Sequence, residues 1–242
     1  ETGFFLPEYS NIGYYMLIFI AVFCAVTAVL CFTGHRNPEH PPRKNIFLRI
    51  TSVLLAVVTP VQLFGESFSG TVKTWQSLFL TVTGLAAAVF FMLYGISGIL
   101  SFNISPVTAV PSVYFIMRII CDFTSVSSLA LITDNMLVLA SYCVSLLFFI
   151  CFGKLYNGVD TEYNFRKLMA TGMVSVILCF TQSVPHFIIN AVTGNSYRHT
   201  SFWCNAALFM TGLFTAVFIF SHFSYSNTDL RRHGKGDEKF YI

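Results

Sequence analysis

The chain has 242 residues, of which 55% are hydrophobic and only 10% charged, with a formal net charge of +3. A soluble domain of this size carries about a quarter charged residues, so an ordinary water-soluble globule is excluded: there are too few polar groups to cover its surface. With 27 phenylalanines and a mean hydropathy of +0.69, the composition is that of a polytopic membrane protein.

Seven apolar runs follow one another, at residues 12–32, 46–66, 76–100, 109–131, 135–156, 167–190 and 203–225. Each is near or above the roughly 20 residues that cross about 30 Å of hydrocarbon as a helix. They are continuously apolar and do not alternate at period two, which argues against a closed barrel. We therefore expect an all-α membrane protein, with a seven-helix transmembrane domain over residues 1–225 and a basic tail over 226–242.

The first run is too long for a signal-peptide core and has no basic residue before it, so it counts as a span. The polar break after it, "TGHRNPEHPPRKN", holds His35, Glu39 and His40 and reads as a stiff basic loop at headgroup level. The second run carries Pro60, Gln62 and Glu66 toward its far end. The third ends on Gly95-Ile96-Ser97-Gly98, the G-x-S-G pattern of intramembrane serine proteases. Close helix packing explains these small residues better.

Pro106 and Pro111 favour a turn before the fourth run, which contains "YFIMRIICDFTSV". Arg118 and Asp122 lie four residues apart there and share a helix face. They either pair along that helix and fasten it to a neighbour, or border a cavity and engage a ligand. Such groups are costly inside a bilayer and tend to face the bundle interior. The sixth run holds Gln182, His186 and Asn190 at four-residue spacing, with Pro185 as a kinking residue. His222 lies near the end of the seventh.

Orientation follows from the basic residues. An external N-terminus puts Arg36, Arg43, Lys44, Lys154, Arg166, Lys167, Arg231, Arg232, Lys235 and Lys239 on the inner side, and only Lys73 and Arg198 outside. The net charge thus reads as topology and not as nucleic-acid binding. The Asn103 sequon falls on the inner side, where it stays unmodified. Of the cysteines, only Cys204 approaches the outer edge, so no extracellular disulfide framework is expected.

Seven spans, an outer N-terminus and an inner basic tail resemble the serpentine, G-protein-coupled receptor plan. "FTQSVPHFIINAV" is similar to its sixth helix, with Arg166-Lys167 as the basic inner start and Pro185 as the kink. "HFSYSNTDLRRHG" resembles the junction of the seventh helix with a short amphipathic helix, with Phe223 where the family usually has tyrosine. Asn227, Asp229, Arg231 and Arg232 match the run that follows. The Asp-Arg-Tyr arginine is absent, with Ile99, Leu100 and Ser101 in that region, and Ile219-Phe220 replaces the Asn-Pro pair. Phenylalanine-rich chains of this kind look like nematode chemoreceptors.

The resemblance implies a plasma-membrane receptor for a small, largely apolar molecule or lipid, without enzymatic activity or cofactor. Its ligand would sit in the outer half among helices 2, 3, 6 and 7. The candidate ligand residues are Gln62, Glu66, Arg118, Asp122, Gln182, His186 and Asn190. A cytosolic signalling protein would meet Arg166, Lys167, Asp229, Arg231 and Arg232. The alternative is a transporter, channel or membrane assembly factor built around Arg118 and Asp122.

Overall fold

A computed structural model describes residues 10–33, 45–69, 74–97, 105–125, 132–157, 161–193 and 202–236. Among these, seven α-helices are found and no strand: α1 (Ser10–Thr33), α2 (Ile46–Ser69), α3 (Thr74–Ser97), α4 (Val110–Ser125), α5 (Ile132–Tyr156), α6 (Thr161–Thr193) and α7 (Phe202–Gly236). A 3-10 turn, Ser105–Ala109, leads into α4. Six helices, α2 to α7, are long and apolar enough to cross a membrane, and α1 adds the shorter apolar stretch Ile18–Cys31. In lipid, only such internally hydrogen-bonded segments satisfy their own backbone.

Helices α2 to α7 form a ring. Each packs on the next in chain order, and α2 closes the circle against α7. Helix α1 stands outside it, against α6. Neighbouring helices run antiparallel. Arg49, at the start of α2, donates from Nε to the Gly95 carbonyl (2.9 Å) and from a terminal nitrogen to that of Ile96 (2.5 Å), at the end of α3. Asn157, just past α5, donates to Thr108 Oγ1 in the turn before α4 at 3.1 Å. The ring therefore has two ends. One gathers Arg49, Thr108 and Tyr156, and the other gathers Glu66, Asp122 and Cys204.

Aromatic residues from alternate members of the ring fill its axis. Phe91 of α3, Phe149 of α5 and Phe214 of α7 meet with ring centroids 5.6 to 6.1 Å apart. Phe152 reaches Phe218 at 5.2 Å, and the Tyr94 and Tyr156 hydroxyls pair at 2.9 Å toward the Arg49 end. Offset and edge-on ring pairs of this kind add about 0.5–1.5 kcal/mol each beyond burial. The abundance of phenylalanine thus has a structural use: it plugs one half of the bundle.

Close helix approach depends on small residues. A Cβ on Gly95 would lie 2.6 Å from Val53 Cγ2 and 3.1 Å from the Arg49 carbonyl oxygen. Since that carbonyl belongs to a helix backbone, α2 and α3 would have to separate. Gly95→Ala should therefore destabilise the protein by about 1–3 kcal/mol, read as a lower midpoint in thermal unfolding from micelles. Gly84→Ala should cost less, because its nearest neighbour is the flexible end of Leu63.

The proline at position 185 lies within the continuous helix α6, as Pro60 does within α2. Helix α7 continues past residue 225 as far as Gly236. The fourth segment differs most from the sequence expectation: α4 is only 16 residues long. Pro106 and Pro111 place the tighter turn ahead of it, and the apolar span becomes Val107–Thr124. Residues 126–131, expected in that span, lie outside the described residues, as do His35, Glu39, His40 and Asn103.

Candidate functional site: a charged network at one end of the ring

The sequence brings Arg118 and Asp122 onto one face of α4 by their spacing. The structure adds two carboxylate-bearing turns to one another. Arg118 Nε donates to Asp122 Oδ2 at 3.2 Å, and its Nη1 forms a short contact with Glu66 Oε2 of α2. The remaining terminal nitrogen approaches Cys204 Sγ of α7 at 3.6 Å. The guanidinium carbon lies 5.5 Å from the centroid of the Tyr142 ring on α5. One side chain therefore touches four helices. Arginine suits this position, since its planar fork presents several fixed donors and also stacks on aromatic faces.

A second layer holds the first. Gln62 Nε2 donates to Glu66 Oε1 at 3.1 Å, and the Tyr114 hydroxyl donates to Gln62 Oε1 at 3.4 Å. The Tyr142 hydroxyl and Cys204 Sγ are 3.3 Å apart. Gly65 gives Trp203 room to lie against α2, where a Cβ would come within 3.0 Å of the indole Cδ1. Trp75 and Trp203 are exposed at this end, the placement expected of tryptophan where hydrocarbon gives way to headgroups. The network sits just beneath that belt.

Burial is graded across the network. The side chain of Arg118 is 6% exposed, that of Glu66 13% and that of Asp122 27%. Two carboxylates facing one guanidinium leave a formal charge of −1. The group thus fastens α4 to α2, α5 and α7, with Asp122 as its most exposed member.

The other sequence candidates for ligand contact sit on α6, which neighbours both α5 and α7. Gln182 and His186 bond to each other along α6 at 3.3 Å, with Gln182 buried and Asn190 half-buried one turn further on. Helix α6 packs on α5, α7 and α1, whereas the Arg118 network is built on α2, α4, α5 and α7. Arg166 and Lys167 are half-buried near the start of α6, and Lys167 Nζ lies 4.3 Å from the centroid of the Tyr163 ring. The side chains of His222, Asp229, Arg231 and Arg232 lie outside the described residues. At the Gly95-Ile96-Ser97-Gly98 motif, the Gly95 and Ile96 carbonyls accept from Arg49, a packing role.

Sequence reasoning missed Tyr114, Tyr142 and Cys204. Tyr114 carries a legible signal: it lies four residues before Arg118, as Asp122 lies four after, so the three share a face. Tyr142 and Cys204 carry none.

Fold and site together define an all-helical, multi-pass membrane protein with a buried charged network at one end of a helix ring and an aromatic plug at the other. No family model matches the chain, and no curated protein or solved structure matches it either.

Proposed function

We propose that this protein is a seven-span, receptor-like membrane protein with its N-terminus outside, in which the Arg118 network is the ligand-responsive element. The positive-inside count turns the Glu66 end outward and the Arg49 end toward the cytosol. The ligand is a small, largely apolar molecule that enters the outer half near Asp122, and the plasma membrane is the corresponding location. The observation that carries this reading is that a single guanidinium joins α2, α4, α5 and α7. A ligand that binds one arrangement of those contacts better than another shifts the population between them. The helix movement then reaches Arg166 and Lys167 through α6, and Asp229, Arg231 and Arg232 through α7, where a cytosolic partner reads it.

The runner-up, a transporter or channel with Arg118 and Asp122 in its path, is disfavoured by the rings of Phe91, Phe149 and Phe214 across the axis. A compound screen against membranes containing the full chain, read by thermal stabilisation, tests the proposal. An active compound should lose at least about tenfold in apparent affinity with Glu66→Gln, the loss expected when one charge-assisted contact is removed. Equal affinity in Glu66→Gln and wild type would reject the network as the ligand site. Solute flux into proteoliposomes that disappears in Asp122→Asn would favour the transporter instead.

A further inference from the structure

Helices α5 and α6 form a hairpin at the Arg49 end, joined by residues 157–160. Asn164 Nδ2 donates to the Cys151 carbonyl at 2.8 Å and clamps the two helices together. Lys154 lies three residues after Cys151 on α5 and Lys167 three residues after Asn164 on α6, so both lysines flank the clamp within about one helical turn. Tyr163, Arg166 and Lys167 share one face of α6 by their spacing, and the lysine is held over the tyrosine ring. Tyr163 opens the apolar span of α6 and Tyr156 closes that of α5, so the cluster lies at a membrane border.

These cations differ from Arg49 at the same end. Arg49 spends its donors on the last carbonyls of α3. Among the described residues, Lys154, Arg166 and Lys167 take part in no ion pair, since both pairs belong to Arg118. Asp160 and Glu162, whose side chains lie outside the described residues, leave the hairpin at +1 when three cations are counted against two acids. The excess positive charge at a membrane border favours an anion there.

We propose that this hairpin binds the phosphate of an anionic phospholipid headgroup, with Lys154, Arg166 and Lys167 as its cationic partners and Tyr163 at the glycerol level. Basic clusters between membrane helices recognise lipid headgroups by this chemistry. The proposal needs only that the bundle is embedded in lipid, and it gives Arg166 and Lys167 a lipid contact beside the partner contact proposed above.

The test uses the full chain in neutral detergent, with lipid retention counted by native mass spectrometry. Mixed micelles contain either phosphatidylcholine alone or phosphatidylcholine with phosphatidylserine. Wild type should retain the anionic lipid selectively. The double variant Lys154→Gln/Lys167→Gln should weaken that retention by about thirtyfold, because each basic residue at a membrane surface contributes to the attraction. Lys154→Arg/Lys167→Arg should restore it. Raising the salt concentration should weaken retention by wild type, which keeps the proposal testable if the glutamine variant does not fold. Equal retention of both lipids by wild type would overturn it. So would unchanged selectivity in a folded glutamine variant, or displacement of the lipid by millimolar inorganic phosphate, which would make the site one for free anion.

Discussion

Arg118→Met should destabilise the folded bundle by about 3–5 kcal/mol, the range for removing one partner of a buried ion pair. The physical reason is what stays behind. Glu66 and Asp122 would face each other with no counter-charge, under side-chain exposures of only 13% and 27%. The partial exposure of Asp122 places the expected value toward the lower end of that range. Methionine keeps much of the volume and the contact with Tyr142, so little of the loss is due to a cavity. The triple variant Arg118→Met/Glu66→Gln/Asp122→Asn should recover most of the stability, because replacing a whole buried charge group is often near neutral.

Equilibrium unfolding in bicelles, with all variants in one lipid mixture, measures both quantities. A single variant as stable as wild type would mean that water reaches the carboxylates and that the network does not fasten α4 to α2. The pair of variants also separates two roles. If the triple variant folds like wild type yet no longer answers a compound that stabilises wild type, the network works as a switch and not merely as a fastener.

The helices themselves were legible in the sequence because the apolar runs have the length of a bilayer. Helices α2 and α5 end within a few residues of the runs at 46–66 and 135–156. The order of the ring was not legible. In a soluble bundle, an apolar stripe marks the face that turns inward. In lipid the outward face is equally apolar, and exposed Phe47, Phe79 and Phe220 cannot be told by type from buried Phe90, Phe148 and Phe218. The position of α1 against α6, and the closure of α2 on α7, therefore left no pattern to read.

The site divides in the same way. The Arg118–Asp122 pair follows from four-residue spacing alone. Its partner Glu66 lies 52 residues from Arg118 in the chain, and no local rule joins them. The α6 candidates Gln182, His186 and Asn190 are likewise legible from four-residue spacing. Gln182 bonds to His186 on its own helix, as spacing suggests, whereas Asn164 and Ser175 of α6 bond across to α5, which no local pattern shows.

Phe149→Ala should cost about 3–5 kcal/mol, the usual range for deleting a fully buried aromatic side chain. Phe149 stacks on Phe115 at 5.2 Å with the rings 16° apart, and it also meets Phe91, Phe148, Phe152 and Phe214. No neighbour is free to fill the space, since those rings are packed against one another. In lipid the loss is one of packing contacts more than of transfer from water, because the unfolded helices stay in hydrocarbon. Phe149→Leu should cost clearly less, as it keeps most of the volume. Unfolding midpoints of the two variants in the same bicelles give the comparison, and equal midpoints for alanine and wild type would mean that the plug is not densely packed. The same variant bears on function. If the aromatic plug seals the axis, wild-type proteoliposomes should hold a gradient of small ions, and Phe149→Ala should still hold it, because Phe91, Phe152 and Phe214 continue to cross the axis. Leak from wild type would show that the rings part readily, and the charged network above them would then line a path for solutes.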